Sequence, residues 1–455
     1  MNVLTRWVAF AGLVMAAAVP AAAQRVPLPQ ISGPVAVTAA SGEAYRGSNE
    51  QPVAGPGLPM PDLERVGYVQ EEYIVSGTVD GKPYRTSLLV RKPKDMKRFS
   101  GLVGVETIHA AGAIPFWGVG REVWAAGGHG WVAVASQRSA LETQLKKFNP
   151  TRYASMFLPE APAGANGMAS SPQDHISQAI MTQVGALLKS NPASGPFGGA
   201  RVRYLLMGGA SQTGGTTLRY IEQSHGVARL PSGKAIYDGY LPMEAFSTTR
   251  IAGGDAAVIH AVGEGDFRLF RIDDPEVRFS IREDSDAPND RFREYEFAGA
   301  SHVPTRGRTA NNKPGEYPSQ FPNPPFYKMA LLHLIEWVTK GTLPPHGPRL
   351  EQTAAGEMIR DEHGNVKGGI RSPWVDVPTA HIIASPPIAA GEPHARAQQG
   401  IQENFPQAKL VQLYGTRENY LQKFNNSTDR LVSGRWITTA DGVKLKAEEA
   451  SKPPF

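Results

Sequence analysis

Apolar residues along this chain fall into short β-rich runs and longer stretches with helical spacing, and the two kinds alternate. Residues 68–75 and 86–90 are β-rich and are separated by Asp80-Gly-Lys-Pro83, a turn sequence, so they predict a hairpin. Residues 102–105 and 130–135 are continuous apolar runs, as expected of strands buried on both faces. Between them, 116–126 reads as a helix closed by Gly127-Gly128. Ile176, Ala179, Ile180, Val184 and Leu187 share a face, which predicts a helix over 170–189. A strand at 202–207, a helix at 214–224 and strands at 237–243, 256–262 and 293–298 follow. Beyond a Pro-rich loop, 304–325, Phe326, Met329, Ala330, Leu334, Trp337 and Val338 line one face of a helix over 326–340, with Gly341 as its cap. A hairpin followed by alternating strands and helices predicts an α/β fold: a mostly parallel, doubly wound sheet with an antiparallel N-terminal hairpin.

The ends of the chain are different. Arg6 precedes an apolar run over 7–19 and then Pro20-Ala-Ala-Ala23-Gln24, the pattern of a signal peptide covering 1–23. The run is shorter than the roughly 20 residues that span hydrocarbon. A cleaved, periplasmic or secreted product without a stable membrane anchor is therefore expected. Residues 24–62 are rich in Pro, Gly and Ala without periodicity and read as an extended arm. Residues 351–455 are mixed, with a hairpin expected around 362–365 and polar helices near the end. A length of 455 residues would allow two or three domains. No clean linker is visible, so 63–455 reads as one enlarged domain with 351–455 wrapping onto its core.

Composition narrows the chemistry. Forty-seven Lys and Arg against 42 Asp and Glu leave a net charge of only +5, which carries no nucleic-acid footprint. There is no Cys, so disulfides, thiolate metal sites and a cysteine nucleophile are all excluded, and any nucleophile must be an oxygen or an amine.

One segment carries a nucleophile pattern. Gly209-Ala-Ser-Gln-Thr-Gly214 lies between a predicted buried strand and a predicted helix, so Ser211 sits at a sharp strand-to-helix turn with Gly209 two residues before it. Thr213 stands where a second Gly is usual, with Gly214 and Gly215 behind it. Such a serine needs an acid and a histidine downstream, in that order. His302 follows the strand 293–298 and falls at a carboxyl strand edge, where open α/β sheets hold their sites. His260 and His333 fall inside elements and read as packing groups. Two acids, Glu264 and Asp266, end the strand 256–262; the offset from the strand start favours Asp266, with Glu264 as the alternative. An oxyanion hole would use the amide of Gln212 and a second from the loop 106–112, with Ile108 or His109 the candidate. Gly112, Phe116 and Trp117 would floor or wall an acyl pocket, with packing of the helix as the alternative for Phe116 and Trp117. The loops 137–171 and 267–289 and the one after His302 would form a lid.

The chain resembles a bacterial family of exported proteins known simply as alpha/beta-hydrolase-domain proteins. The likeness runs through Gly67-Tyr-Val-Gln-Glu-Glu-Tyr-Ile-Val-Ser-Gly77, Phe99-Ser-Gly-Leu-Val-Gly-Val-Glu106, Asn149-Pro-Thr-Arg-Tyr153, Gly209-Ala-Ser-Gln-Thr-Gly214, Gly299-Ala-Ser-His302 and Gly368-Gly-Ile-Arg-Ser-Pro-Trp374. It implies an α/β-hydrolase fold, a serine-hydrolase site with Ser211 and His302 in the matching places, and a tail beyond Pro344 that belongs to the same domain. His109 departs from the small amide residue usual in the family. The expected activity is cleavage of a carboxylic ester, in a small molecule or linked to a polymer, with neither a metal nor an organic cofactor. The alternatives are a catalytically inactive scaffold that binds a ligand, and a module that binds a sugar or polymer through its aromatic residues.

Overall fold

The computed structural model describes residues 24–453 except 50–62, 161–174, 273–278, 281, 307–312, 315 and 390–391. The expected signal peptide, the end of the arm and parts of each lid loop lie outside the described residues.

Nine strands form the main sheet: β1 (Gln30–Ser32), β2 (Tyr68–Val79), β3 (Lys82–Pro93), β4 (Leu102–Thr107), β5 (Gly130–Val134), β6 (Tyr204–Ala210), β7 (Gly239–Met243), β8 (Ala257–Gly263) and β9 (Phe292–Phe297). Their spatial order is β9-β8-β7-β6-β4-β5-β3-β2-β1. The six strands from β9 to β5 are parallel, and β3, β2 and β1 are added antiparallel. The predicted hairpin is present but longer than its apolar runs, because Asp80 and Gly81 both take positive φ (51° and 75°) and let the two strands pair right up to the turn. Strands β4 to β9 are buried almost throughout, which explains why they read as continuous apolar runs rather than alternating ones.

Helices cover both faces. The helix α1 (Pro115–Ala126) follows β4, α2 (Ile176–Ser190) precedes β6, and α3 (Gln212–Tyr220) follows it. A short α4 (Glu264–Leu269) continues from β8, and α5 (Asn323–Lys340) packs across β7 and β8. Pro324 and Pro325, read as loop, lie in the first turn of α5, where the missing N–H groups have no intrahelical partner to lose. The start of α1 is fixed from beneath: the buried Glu106 carboxylate on β4 accepts from the amides of Phe116 (3.0 Å) and Trp117 (2.8 Å) and from Trp131 Nε1 (2.9 Å). Burial pushes its carboxyl up to about 8. Phe116 and Trp117 are buried core residues, with Phe116 edge-on to Trp124 at 5.1 Å. Of the two readings left open for them, packing is the one observed: Trp117 lies against Trp131 of β5 at 5.4 Å, so neither ring walls a pocket.

The tail lies against this framework. The expected bridges flank residues 361–365, and the helices α6 (Arg417–Ser433) and α7 (Thr439–Ala450) close the chain. Trp436 packs edge-on to Tyr295 of β9 at 5.1 Å, and Lys328 of α5 binds Asp441 at 2.7 Å.

The described part of the arm, 24–49, is not loose. Arg152 and Glu72 form a buried pair (2.5 Å), and Ser87 Oγ donates to the other carboxylate oxygen at 2.6 Å. The same guanidinium donates to the carbonyls of Val35, Ala36 and Gly42. An arm without periodicity is thus held to the sheet by the pairing of β1 with β2 and, over 35–42, by one buried cation. Breaking a buried pair from one side costs about 3–5 kcal/mol, so Arg152→Ala is expected to lose stability of that order in urea melts and to open residues 33–49 to protease. Unchanged stability and digestion would remove Arg152 from this role.

Candidate active site

Parallel strands bring their carboxyl ends to one edge; the chain passes from β4 to β5 on one side of it and then crosses back from β5 to β6 on the other side of β4. The crevice at such a switch point is where open α/β sheets bind ligands. Residues 108–112 leave β4, Ser211 leaves β6, Glu244 leaves β7, Glu264 and Asp266 leave β8, and His302 follows β9.

Ser211 has φ 56° and ψ −122°, a conformation that costs a β-substituted residue about 1–3 kcal/mol. Its surroundings enforce that turn. Its amide donates to Met243 O at 3.0 Å. Thr213 Oγ1 donates to Ala210 O (3.0 Å) and accepts from Ala210 N (3.1 Å), closing the loop around the serine. This is the use of the side chain that stands in the usual Gly place. Gly209 makes room for it: a Cβ there would come 2.5 Å from Thr213 O. Gly214 lets α3 lie on β7, since a Cβ there would reach 2.2 Å from Met243 O.

Ser211 Oγ lies 2.8 Å from His302 Nε2, and His302 Nδ1 lies 2.6 Å from Asp266 Oδ1. Asp266 is fully buried, and its other oxygen accepts from Gly263 N at 2.7 Å. Glu264 faces elsewhere: it pairs with Arg360 (3.1 Å) and accepts from Gly299 N (2.9 Å), bracing the loop that carries His302. Burial raises its pKa, against the opposing pull of Arg360. Of the two acids left open, Asp266 is the one on the imidazole. Burial alone would lower the pKa of His302, but the hydrogen bond and charge of Asp266, with the charge of Glu244, lift it above its usual value.

The sequence reading missed Glu244. It sits at φ 52° directly after β7, and burial, with the charge of Asp266, pushes its carboxyl up to about 8. An acid ending an otherwise apolar strand at the carboxyl edge was the available clue. His260 and His333 are buried against Glu294 and Tyr295, as packing groups should be.

The amide of Gln212 opens α3 and has no partner within the helix. The other two expected oxyanion donors require correction. Ile108 N donates to Val134 O and His109 N to Ala113 O, both at 2.9 Å, because strand pairing and the tight turn after it use these amides. Beside Ser211 lies a cavity of about 190 Å³ lined by Gln212, Leu218, Arg219, Phe246 and Phe270. Arg268 and Arg271 line a separate cavity of about 550 Å³ with Glu264 and Arg360. Among the described residues no cluster of three or more His, Asp or Glu could hold a metal ion.

A serine on a strained turn between a parallel strand and a helix, at the carboxyl edge of this sheet, defines an α/β-hydrolase framework. The chain belongs to the alpha/beta hydrolase domain family, whose model matches residues 31–447. No curated protein matches it. Among solved structures it is similar to a cold-adapted esterase from an Arctic intertidal metagenomic library, at 9% identity over 44% of this chain and 72% of that one, with a TM-score of 0.25. It is also similar to an acetyl xylan esterase from Paenibacillus sp. R4, at 15% identity over 43% and 55% of the two chains, also with a TM-score of 0.25. Likenesses this loose carry no argument about substrate.

The turn at Ser211 depends on the bare Cα of Gly214. Gly214→Ala is expected to lower thermal stability by about 1–3 kcal/mol through overpacking. Gly226→Ala, where a Cβ meets nothing within 4 Å, is the control and should be neutral. Equal melting temperatures for the two variants would contradict the close-packing argument.

Proposed function

We propose that the protein is an exported serine esterase that cleaves a carboxylic ester through an acyl-enzyme. The observation that carries this reading is the unbroken chain Ser211 Oγ–His302–Asp266 with links of 2.8 and 2.6 Å. In the first step Ser211 Oγ forms a bond to the ester carbonyl carbon while its proton passes to His302 Nε2. The carbonyl electron pair moves to oxygen, and the amide of Gln212 at the N-terminus of α3 supplies one donor to it. As the tetrahedral species collapses, the C–O bond to the alcohol breaks and His302 returns the proton to that oxygen. Water then repeats the sequence on the acyl-serine, with His302 as base. Asp266 holds the imidazole in the tautomer with its proton on Nδ1 and stabilises the imidazolium. The cavity beside Ser211 is smaller than the 300–1,000 Å³ common for small-molecule sites, which favours a short acyl group.

Export rests on the first 23 residues of the sequence, and the site chemistry is the same for an ester that is free or attached to a polymer. Ser211→Ala is expected to lose p-nitrophenyl acetate turnover by several orders of magnitude with its melt unchanged. Asp266→Asn should lose turnover severely, about 10⁴-fold where an acid has this orienting role. Glu264→Gln should lose far less and act through stability. Near-normal turnover by Ser211→Ala, or the two acid variants in the reverse order, would overturn the assignment.

The pH profile is a second check. His302 must be neutral to accept the proton, and its pKa is raised, so kcat/KM is expected to fall with decreasing pH through a limb above the ordinary 6.5. A limb below that value would show that Asp266 and Glu244 do not act on His302 as described.

A further inference from the structure

The second donor to the oxyanion is missing from the loop that should supply it. From 108 to 112 every backbone N–H is committed: Ile108 to Val134 O, His109 to Ala113 O, Ala110 to the side-chain Oε1 of Gln212 (3.1 Å), Ala111 to the ring Nδ1 of His109 (3.0 Å), and Gly112 to His109 O. The Ala110 contact is itself braced. Gln137 Nε2 donates to the same Gln212 Oε1 (3.0 Å) and to Ile108 O (2.6 Å), while Gln212 Nε2 donates back to Gln137 Oε1 (3.1 Å). Two glutamines therefore lock the loop after β4 to the start of α3 with each of its amides already engaged.

The same accounting leaves one donor over. Because Ala111 N–H donates to His109 Nδ1, that nitrogen carries no proton, and the neutral ring must hold its proton on Nε2. We propose that the imidazole Nε2–H of His109, rather than any backbone amide of its loop, is the second oxyanion donor, paired with the amide of Gln212. Burial, and then the charge of His302, lower the His109 pKa to about 4, so the ring stays neutral when His302 becomes cationic. It donates a hydrogen bond to the developing oxyanion and transfers no proton, which is the demand on such a group. The inference rests on the esterase reading of Ser211 and His302.

The test compares His109→Leu, which keeps bulk without a donor, with His109→Gln, whose terminal amide nitrogen can reach the place of the imidazole Nε2 and donate from it. With p-nitrophenyl acetate, His109→Leu is expected to lose about 10²–10³ in kcat with KM little changed. Its inhibition constant for a trifluoromethyl ketone, whose serine adduct is an oxyanion, should rise by a similar factor. His109→Gln should recover most of both. Gln212→Ala separates the rival donor, because it frees the Ala110 amide. If His109→Leu retains kcat within about threefold, or if Gln212→Ala raises turnover while His109→Leu leaves it unchanged, the donor is the Ala110 amide and the proposal fails. Those results would leave the esterase reading intact as long as Ser211→Ala is inactive; an active Ser211→Ala would remove the reading beneath it.

Discussion

The site depends on holding one residue in a conformation it would not choose. Ser211 at φ 56° is stable only because the amide bond to Met243 O, the Thr213 hydroxyl and the close approach of α3 to β7 together determine the turn. Those contacts draw on a buried part of the molecule, where β6, β7 and α3 meet. The large parallel sheet is therefore more than a frame. Its packing supplies the free energy that keeps the hydroxyl raised above the strand edge and in line with His302.

Around that hydroxyl, the partner each carboxylate finds decides what it can do. Glu106 lies behind the site, spent on two amides of α1 and an indole. Glu264 is neutralised by Arg360 and fixes Gly299, so it shapes the loop of His302 without touching the ring. Asp266 spends one oxygen on Gly263 N and leaves the other for the imidazole. Glu244 adds a second influence on His302 from the end of β7. Four acids near one sheet edge thus have four different roles, and the hydrogen-bond partner separates them better than proximity does.

Much of this was legible in the sequence because burial leaves a plain pattern. Strands buried on both faces read as apolar runs, and Ser211, Asp266 and His302 could be located as residues just past their ends. Helix ends marked by Gly341 and by the Gly-rich turn were equally direct. What could not be read depended on contacts distant in sequence. The choice between Glu264 and Asp266 rests on Arg360, nearly a hundred residues away, which draws Glu264 aside. The arm looked loose because its order comes from pairing with β2 and from distant partners such as Arg152 rather than from any periodicity of its own. Phe116 and Trp117 stayed open because an aromatic pair after a site loop looks the same whether it faces a cavity or the core. The amides of Ile108 and His109 were unavailable for a reason no local pattern shows, namely which carbonyls lie across from them.

The central claim is that His302 and Asp266 make Ser211 a nucleophile. Reaction of the protein with a fluorophosphonate, followed by mass spectrometry of its peptides, tests it most directly. The account predicts a single phosphonyl adduct on Ser211, formed quickly by the wild type and suppressed by several orders of magnitude in His302→Ala. No adduct, an adduct on another residue, or equal labelling of Ser211 without His302 would contradict it.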